Sequence, residues 1–229
     1  MSDNSSIKAP LSIWFNNELI SPSDIGRDLF EDILRGNNAF SQDDVNKIMC
    51  IYHTAKYAHA YKVEVKRRTG ERYFEHPKGV TLIDILEFGQ SDPEVVMAEL
   101  LHDLIEDTYY TEEHLYYLFG EKVANIVQLV TNPVLQDDEE KNKKNREMHY
   151  KIIALNQGAS CVKVSDRIHN LRTFPKLDKS DENYQKNLER QKRKIQETED
   201  CIVPIAEGLK SYNPKYYEVL MEELETLKK

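Results

Sequence analysis

No basic start followed by an apolar run opens the sequence, and no later stretch stays apolar long enough to cross a bilayer. Neither a secretory signal nor a membrane partner is therefore expected, and the expected setting is cytoplasmic. Cysteine is scarce. Cys50, Cys161 and Cys201 stand far apart without a CxxC pair, which speaks against a disulfide framework and against a thiolate zinc site. Buried free thiols are the expectation. Glycine and proline number only eight each in 229 residues, so the chain is neither loop-rich nor of low complexity. Strand-like alternation is almost absent. A broad excess of cations is missing too. At a formal net charge of −9 the chain does not resemble a binder of nucleic-acid polymers, which usually neutralise phosphates with Lys and Arg.

With 40% hydrophobic and 31% charged residues, the composition is that of one globular, helix-rich domain. Ser41 with Asp44 makes a helix-capping start. Val45, Ile48, Met49, Tyr52 and Ala55 then recur at helical spacing through about residue 61. Pro77 and Pro93 suit first helical turns and open helices expected over 77–88 and 93–106. Further helices are expected over 111–118, 121–131, 138–156, 159–173, 181–209 and 214–228, with Pro204 kinking or ending its segment. The fold class is all-α. Residues 1–38 carry Trp14, Phe15, Ile20, Ile25, Leu29, Phe30 and Ile33, enough to predict a short helical appendage packed on a main body of residues 39–229. The charge-dense stretch from Asp137 to Arg146 mixes both signs and reads as a solvated helix face or loop.

One segment carries chemistry. Leu100-Leu101-His102-Asp103-Leu104-Ile105-Glu106-Asp107-Thr108 sets an imidazole beside a carboxylate inside an apolar run, where such a pair needs partners. On a helix, Glu106 would share the face of His102 and Asp103, and Asp107 follows Asp103 by one turn. A lone His-Asp pair usually just satisfies itself, but two further groups stand out. His76 precedes Pro77 at a turn that could aim its ring inward, and Asp166 lies in the apolar stretch from Cys161 to Ile168. Two imidazoles and two aspartates suit a divalent ion such as Mn²⁺, Fe²⁺, Zn²⁺ or Co²⁺, with positions left for water and substrate. Such an ion acidifies water and neutralises charge on a phosphoryl group.

These residues resemble the scattered H…HD…D signature of the HD-domain phosphohydrolases. More narrowly, the phrases from Arg68 to Pro77, from Leu101 to Thr108 and from Val164 to Thr173 are similar to the hydrolase domain of RelA/SpoT enzymes and their small stand-alone relatives, over roughly residues 45–210. The resemblance implies an HD-type bundle of about eight to ten helices. It implies that His76, His102, Asp103 and Asp166 hold one ion, Mn²⁺ in that family, and that Glu106 and Asp107 assist the attacking water. It places Arg67 against phosphate, with Arg68 the alternative because the spacing after His59 is a few residues longer than the familiar pattern. Thr69 adjoins them, and Asn170 and Thr173 match positions lining the nucleotide pocket. The implied reaction is removal of the 3′-pyrophosphate from guanosine (p)ppGpp, returning GDP or GTP, by a hydrolase alone.

The residues themselves agree about phosphate. Lys62, Lys66, Arg67, Arg68 and Arg72 concentrate positive charge just before His76, and a guanidinium can grip two phosphate oxygens. The partner is thus a small-molecule nucleotide, and an oligomer is compatible with the sequence. His53, His59, His114, His149 and His169 are expected in packing or surface roles. Two rival readings use the same residues: an HD phosphohydrolase for another nucleotide, and a non-catalytic helical module whose metal is structural.

Overall fold

A computed structural model describes residues 10–61, 67, 70–134 and 136–229. Its helices in chain order are α1 (Arg27–Gly36), α2 (Gln42–Tyr61), α3 (Glu75–Ile83), α4 (Pro93–Leu101), α5 (Leu104–Asp107), α6 (Glu112–Phe119), α7 (Glu121–Val130), α8 (Glu139–Ile153), α9 (Gln157–Arg172), α10 (Tyr184–Glu197), α11 (Val203–Gly208) and α12 (Lys215–Lys228). The all-α expectation holds. Joining the segments that are interrupted between α4 and α5 and between α10 and α11 turns these twelve into ten among the described residues. None of them is long and apolar enough to cross a membrane. The described residues fall into two compact units that divide between Thr131 and Asn132.

The first unit is organised on α4. Asp92 caps it by accepting from the Glu94 N–H at 3.0 Å, and Pro93 sits in the first turn, where its missing N–H costs nothing. Val95, Val96, Met97, Ala98, Leu100 and Leu101 are all buried. A helix apolar on every side belongs in a core, and α2, α3 and α7 surround this one. Every residue of α3 is buried as well, Lys78 and His76 included. A π-helical turn at Asp84–Phe88 continues α3 and ends at Gly89, whose φ of +71° is accessible to glycine without strain.

Two elements depart from the periodicity. The helix expected over 93–106 breaks at His102 and Asp103, where Asp103 has φ −94° and ψ 1°, in the sparsely allowed bridge region. The His102 ring Nδ1 lies 2.8 Å from the Glu99 carbonyl oxygen, which in a regular helix would receive the Asp103 N–H. The N-terminal segment is not helical throughout. β1 (Ile13–Phe15) pairs antiparallel with β2 (Glu18–Ile20), Ile13 opposite Ile20. Asn16 and Asn17, at φ 49° and 64°, make the two-residue turn whose twist suits a hairpin. Asparagine tolerates this left-handed region better than other side chains. Ile13, Ile25, Phe30 and Leu34 are each fully buried, so residues 10–36 form part of the core of this unit.

In the second unit α9 is the central helix. Asn156 caps it through the Ala159 N–H at 2.9 Å, and α8, α11 and α12 pack on it. The expected break at Pro204 occurs: α10 runs into a π-helical turn at Thr198–Ile202, and α11 restarts with Pro204 in its first turn. The stretch from Glu139 to Met148 lies largely exposed along α8, as its mixed charge suggests.

Candidate metal centre

α3 carries His76 in its first turn, and the break after α4 carries His102 and Asp103. Their ligand-capable atoms all lie within 4.8 Å of one another. His76 Nε2 is 3.5 Å from one Asp103 carboxylate oxygen, and His102 Nε2 is 3.2 Å from the other. The imidazoles are buried, whereas Asp103 keeps 16% of its side chain exposed, so the cluster is reachable.

The break in the helix is what aims these groups. Because His102 Nδ1 faces the Glu99 carbonyl, that nitrogen carries the proton and Nε2 presents its lone pair toward Asp103. A metal-ligating histidine characteristically donates its other N–H to a carbonyl in this way, fixing tautomer and ring orientation. A neutral imidazole nitrogen and a carboxylate are both acceptors, and a divalent cation held between them would satisfy both. The donor set, two nitrogens and a carboxylate, suits a divalent ion.

Tyr73 braces the cluster. Its hydroxyl donates to Asp103 Oδ2 at 2.9 Å, and its ring stacks on His59 with centroids 4.9 Å apart and 25° between planes. Burial, the Asp103 charge and a hydrogen bond to Asp107 hold the phenol well above its ordinary range, so it acts as a proton donor to the two carboxylates. Tyr73 received no role from the sequence, although it stands between Arg72 and His76 in the phrase that carries the resemblance. The Glu99 carbonyl was not legible either, since only the break in the helix frees it.

Other expected site residues lie as follows. Asp107, half-buried, sends its N–H to the Asp103 carbonyl at 2.9 Å, while Glu106 is exposed. Asp166 belongs to α9 in the second unit, where the Asn170 amide donates to its Oδ1 at 2.5 Å and Lys163 Nζ lies 4.0 Å from its Oδ2. Thr173, buried, directs its hydroxyl to the His169 carbonyl at 2.8 Å. Arg67 lies 3.3 Å from Glu71, whose carboxyl burial pushes up, and Gly70 at φ 88° closes the turn between them. Arg72 pairs with Glu75 at 2.5 Å. Lys62, Lys66, Arg68 and Thr69 fall outside the described residues. Among the remaining histidines, His59 and His169 are buried, and His114 accepts from the Thr111 N–H as part of the cap of α6.

Residues 52–206 match the family model described as HD domain. The chain is 38% identical over 167 residues to a protein of Myxococcus xanthus named GTP pyrophosphokinase, covering 67% of this chain and 20% of that protein. It is 31% identical over 180 residues to the guanosine-3′,5′-bis(diphosphate) 3′-pyrophosphohydrolase of Aquifex aeolicus, covering 73% and 24%. The bifunctional (p)ppGpp synthase/hydrolase SpoT of Escherichia coli is 31% identical over 171 residues, with 73% and 22% covered. The chain thus spans about a fifth to a quarter of the length of these curated relatives. A solved structure described as a metazoan ortholog of SpoT that hydrolyses ppGpp aligns with a TM-score of 0.60 at 23% identity, covering 79% of this chain and 94% of that one, a likeness of fold.

Proposed function

The chain belongs to the HD-domain family, and from that premise we propose that it is a metal-dependent phosphohydrolase that removes the 3′-pyrophosphate of guanosine (p)ppGpp, yielding GDP or GTP and pyrophosphate. The observation that carries this reading is the convergence of His76, His102 and Asp103 within 4.8 Å, with the His102 tautomer set by the Glu99 carbonyl. The HD-domain match over residues 52–206 holds all three residues, and relatives named for this hydrolysis match over 73% of the chain.

His76, His102 and Asp103 would hold the ion; the resemblance implies Asp166 as a further ligand and Mn²⁺ as the metal. When bound, it would lower the pKa of water and offset charge on the phosphoryl oxygens. The chain's own groups do the rest. Tyr73 keeps Asp103 oriented and shares a hydrogen bond with Asp107, tying the ligand to the carboxylate that supports proton transfer during attack. Glu106, exposed four residues after His102, positions or deprotonates the attacking water, and Asp107 supports the proton transfer. Arg67, Arg68 and Thr69 meet the departing pyrophosphate. Asn170 holds Asp166 in place and, with Thr173, lines the nucleotide side. The working compartment is the cytoplasm.

The test is direct. Purified protein with Mn²⁺ is given ppGpp and the products are separated. Equal amounts of GDP and pyrophosphate are expected, and Asp103→Ala is expected to lower the rate at least about a thousandfold while losing the ion from the protein. Failure to form GDP and pyrophosphate, with the protein folded and the ion retained, overturns the assignment of substrate. Unchanged ion content in Asp103→Ala overturns the assignment of the site.

A further inference from the structure

A groove of about 760 Å³ lies within the second unit, between α8 and the run from α10 into α11, on a part of the chain that the proposed reaction does not use. Four cations line it: Lys143, Arg146 and Lys151 from successive turns of α8, and Arg193 from α10. All four are exposed, and none has an ion-pair or hydrogen-bond partner among the described residues. That is unexpected in a chain of net charge −9, where an acid could have been set beside each. The acids of the same wall do not cancel them. Asp200 accepts from the Gln196 amide at 2.9 Å. Glu197 is taken up from behind, by Arg167 at 3.1 Å, Lys194 at 3.3 Å and the Tyr150 hydroxyl at 3.0 Å. A buried and a half-buried cation thus answer one carboxylate, and only Glu147 and Asp200 stand against the four at the rim. Lys194 is held below its ordinary range by burial and by Arg167, as a local positive excess requires.

The remaining wall is apolar. Tyr150, Ala154, Cys201, Pro204 and Ile205 offer carbon surface beside the cations, a combination suited to a ligand with a flat organic body and an anionic group. The volume is far more than an inorganic phosphate fills and lies inside the usual range for small-molecule sites, roughly 300–1,000 Å³. Guanidinium groups such as those of Arg146 and Arg193 bind phosphate oxygens in pairs.

We propose that this groove is a second ligand site, separate from His76, His102 and Asp103, and that it takes a nucleoside polyphosphate, with the phosphates on the Lys143, Arg146, Lys151 and Arg193 rim and the base against Tyr150, Ala154 and Pro204. Binding there is an effector function, and it does not require that the chain hydrolyse anything.

The full chain carrying Asp103→Ala, which removes turnover, is titrated with N-methylanthraniloyl-GDP and followed by fluorescence anisotropy. A saturable component is expected that is distinct from any binding at Asn170 and Thr173 and is identified by its loss on the substitutions below. The double charge reversal Arg146→Glu with Arg193→Glu is expected to raise its Kd at least about a hundredfold, and raised salt to weaken it in parallel. Ala154→Trp, which fills the groove at an exposed position without altering charge, is expected to abolish the same site and decides the matter if the double reversal fails to fold. Saturable binding that neither substitution reduces overturns the proposal, as does absence of saturation below about 1 mM. Pyrophosphate or an acidic peptide competing as tightly as the nucleotide also overturns it, because the groove would then read charge without reading a base.

Discussion

Glu75 and His76 are neighbours on α3, equally buried, and their surroundings are opposite in kind. Glu75 faces Lys78 at 2.8 Å and Arg72 at 2.5 Å, and Lys78 in turn donates to the Ile25 carbonyl at 2.9 Å, tying α3 to the chain just before α1. Charge and hydrogen-bonding capacity are matched there by the protein itself. His76 instead faces an aspartate and a second imidazole, groups that offer lone pairs to one another. The first arrangement is complete without a ligand, and so it is structural. The second brings three ligand-capable groups within reach of one cation, and so it is a candidate site.

Lys78→Met should show the largest effect on the structural side of this contrast. Removing one partner leaves Glu75 in a buried position with its charge half matched, a change that typically costs about 3–5 kcal/mol. Urea unfolding should therefore show a much lower midpoint at unchanged slope. A loss under about 1 kcal/mol, the size seen for exposed pairs, would mean that the pair contributes no more than a surface one.

Tyr73→Phe probes the other side and should be milder. It keeps the ring stacked on His59 and deletes the donor to Asp103. A bracing group of this kind usually changes metal affinity about 10–100-fold. Isothermal titration with Mn²⁺ should show that drop with almost no change in thermal stability. Affinity unchanged within error would reduce Tyr73 to packing.

The smallest effect is expected in the second unit, at Glu197. Burial pushes this carboxyl up, but the charges of Arg167 and Lys194 and the Tyr150 hydrogen bond outweigh it and bring the pKa from 4.5 down to about 2. A depressed folded-state pKa adds stability above the unfolded value and loses it as pH falls toward the folded one. The stability gap between the native chain and Glu197→Gln should thus be constant above about pH 5, shrink through pH 4 and vanish toward pH 2. A gap that does not change with pH would show that the carboxylate charge is unimportant there.

Much of the fold was legible because helical periodicity and caps are local. Ser41, Asp92, Thr111, Asp138 and Asn156 all stand at or next to helix starts, and Pro204 marks the break before α11. The hairpin at β1 and β2 was also written locally, in Asn16-Asn17 between Ile13-Trp14-Phe15 and Glu18-Leu19-Ile20, but six strand residues are too few for alternation to show. His102 and Asp103 stood out because such a pair is costly in an apolar run. Tyr73 and the Glu99 carbonyl did not, because their roles depend on a break at His102 and Asp103 inside a stretch whose periodicity reads as one continuous helix.

The sequence by itself determined that this chain is helical, which faces of most helices are apolar, and that two imidazoles and several carboxylates must find partners away from water. Those properties follow from spacing and solvation, which act over a few residues. Only the tertiary structure decided which polar groups form an ion pair, as Glu75 does with Lys78, and which converge as ligand-capable groups, as His76, His102 and Asp103 do. It alone set four cations around one groove between α8 and α11. The reason is that electrostatic satisfaction is a property of distances between residues remote in the chain, and only packing fixes those distances.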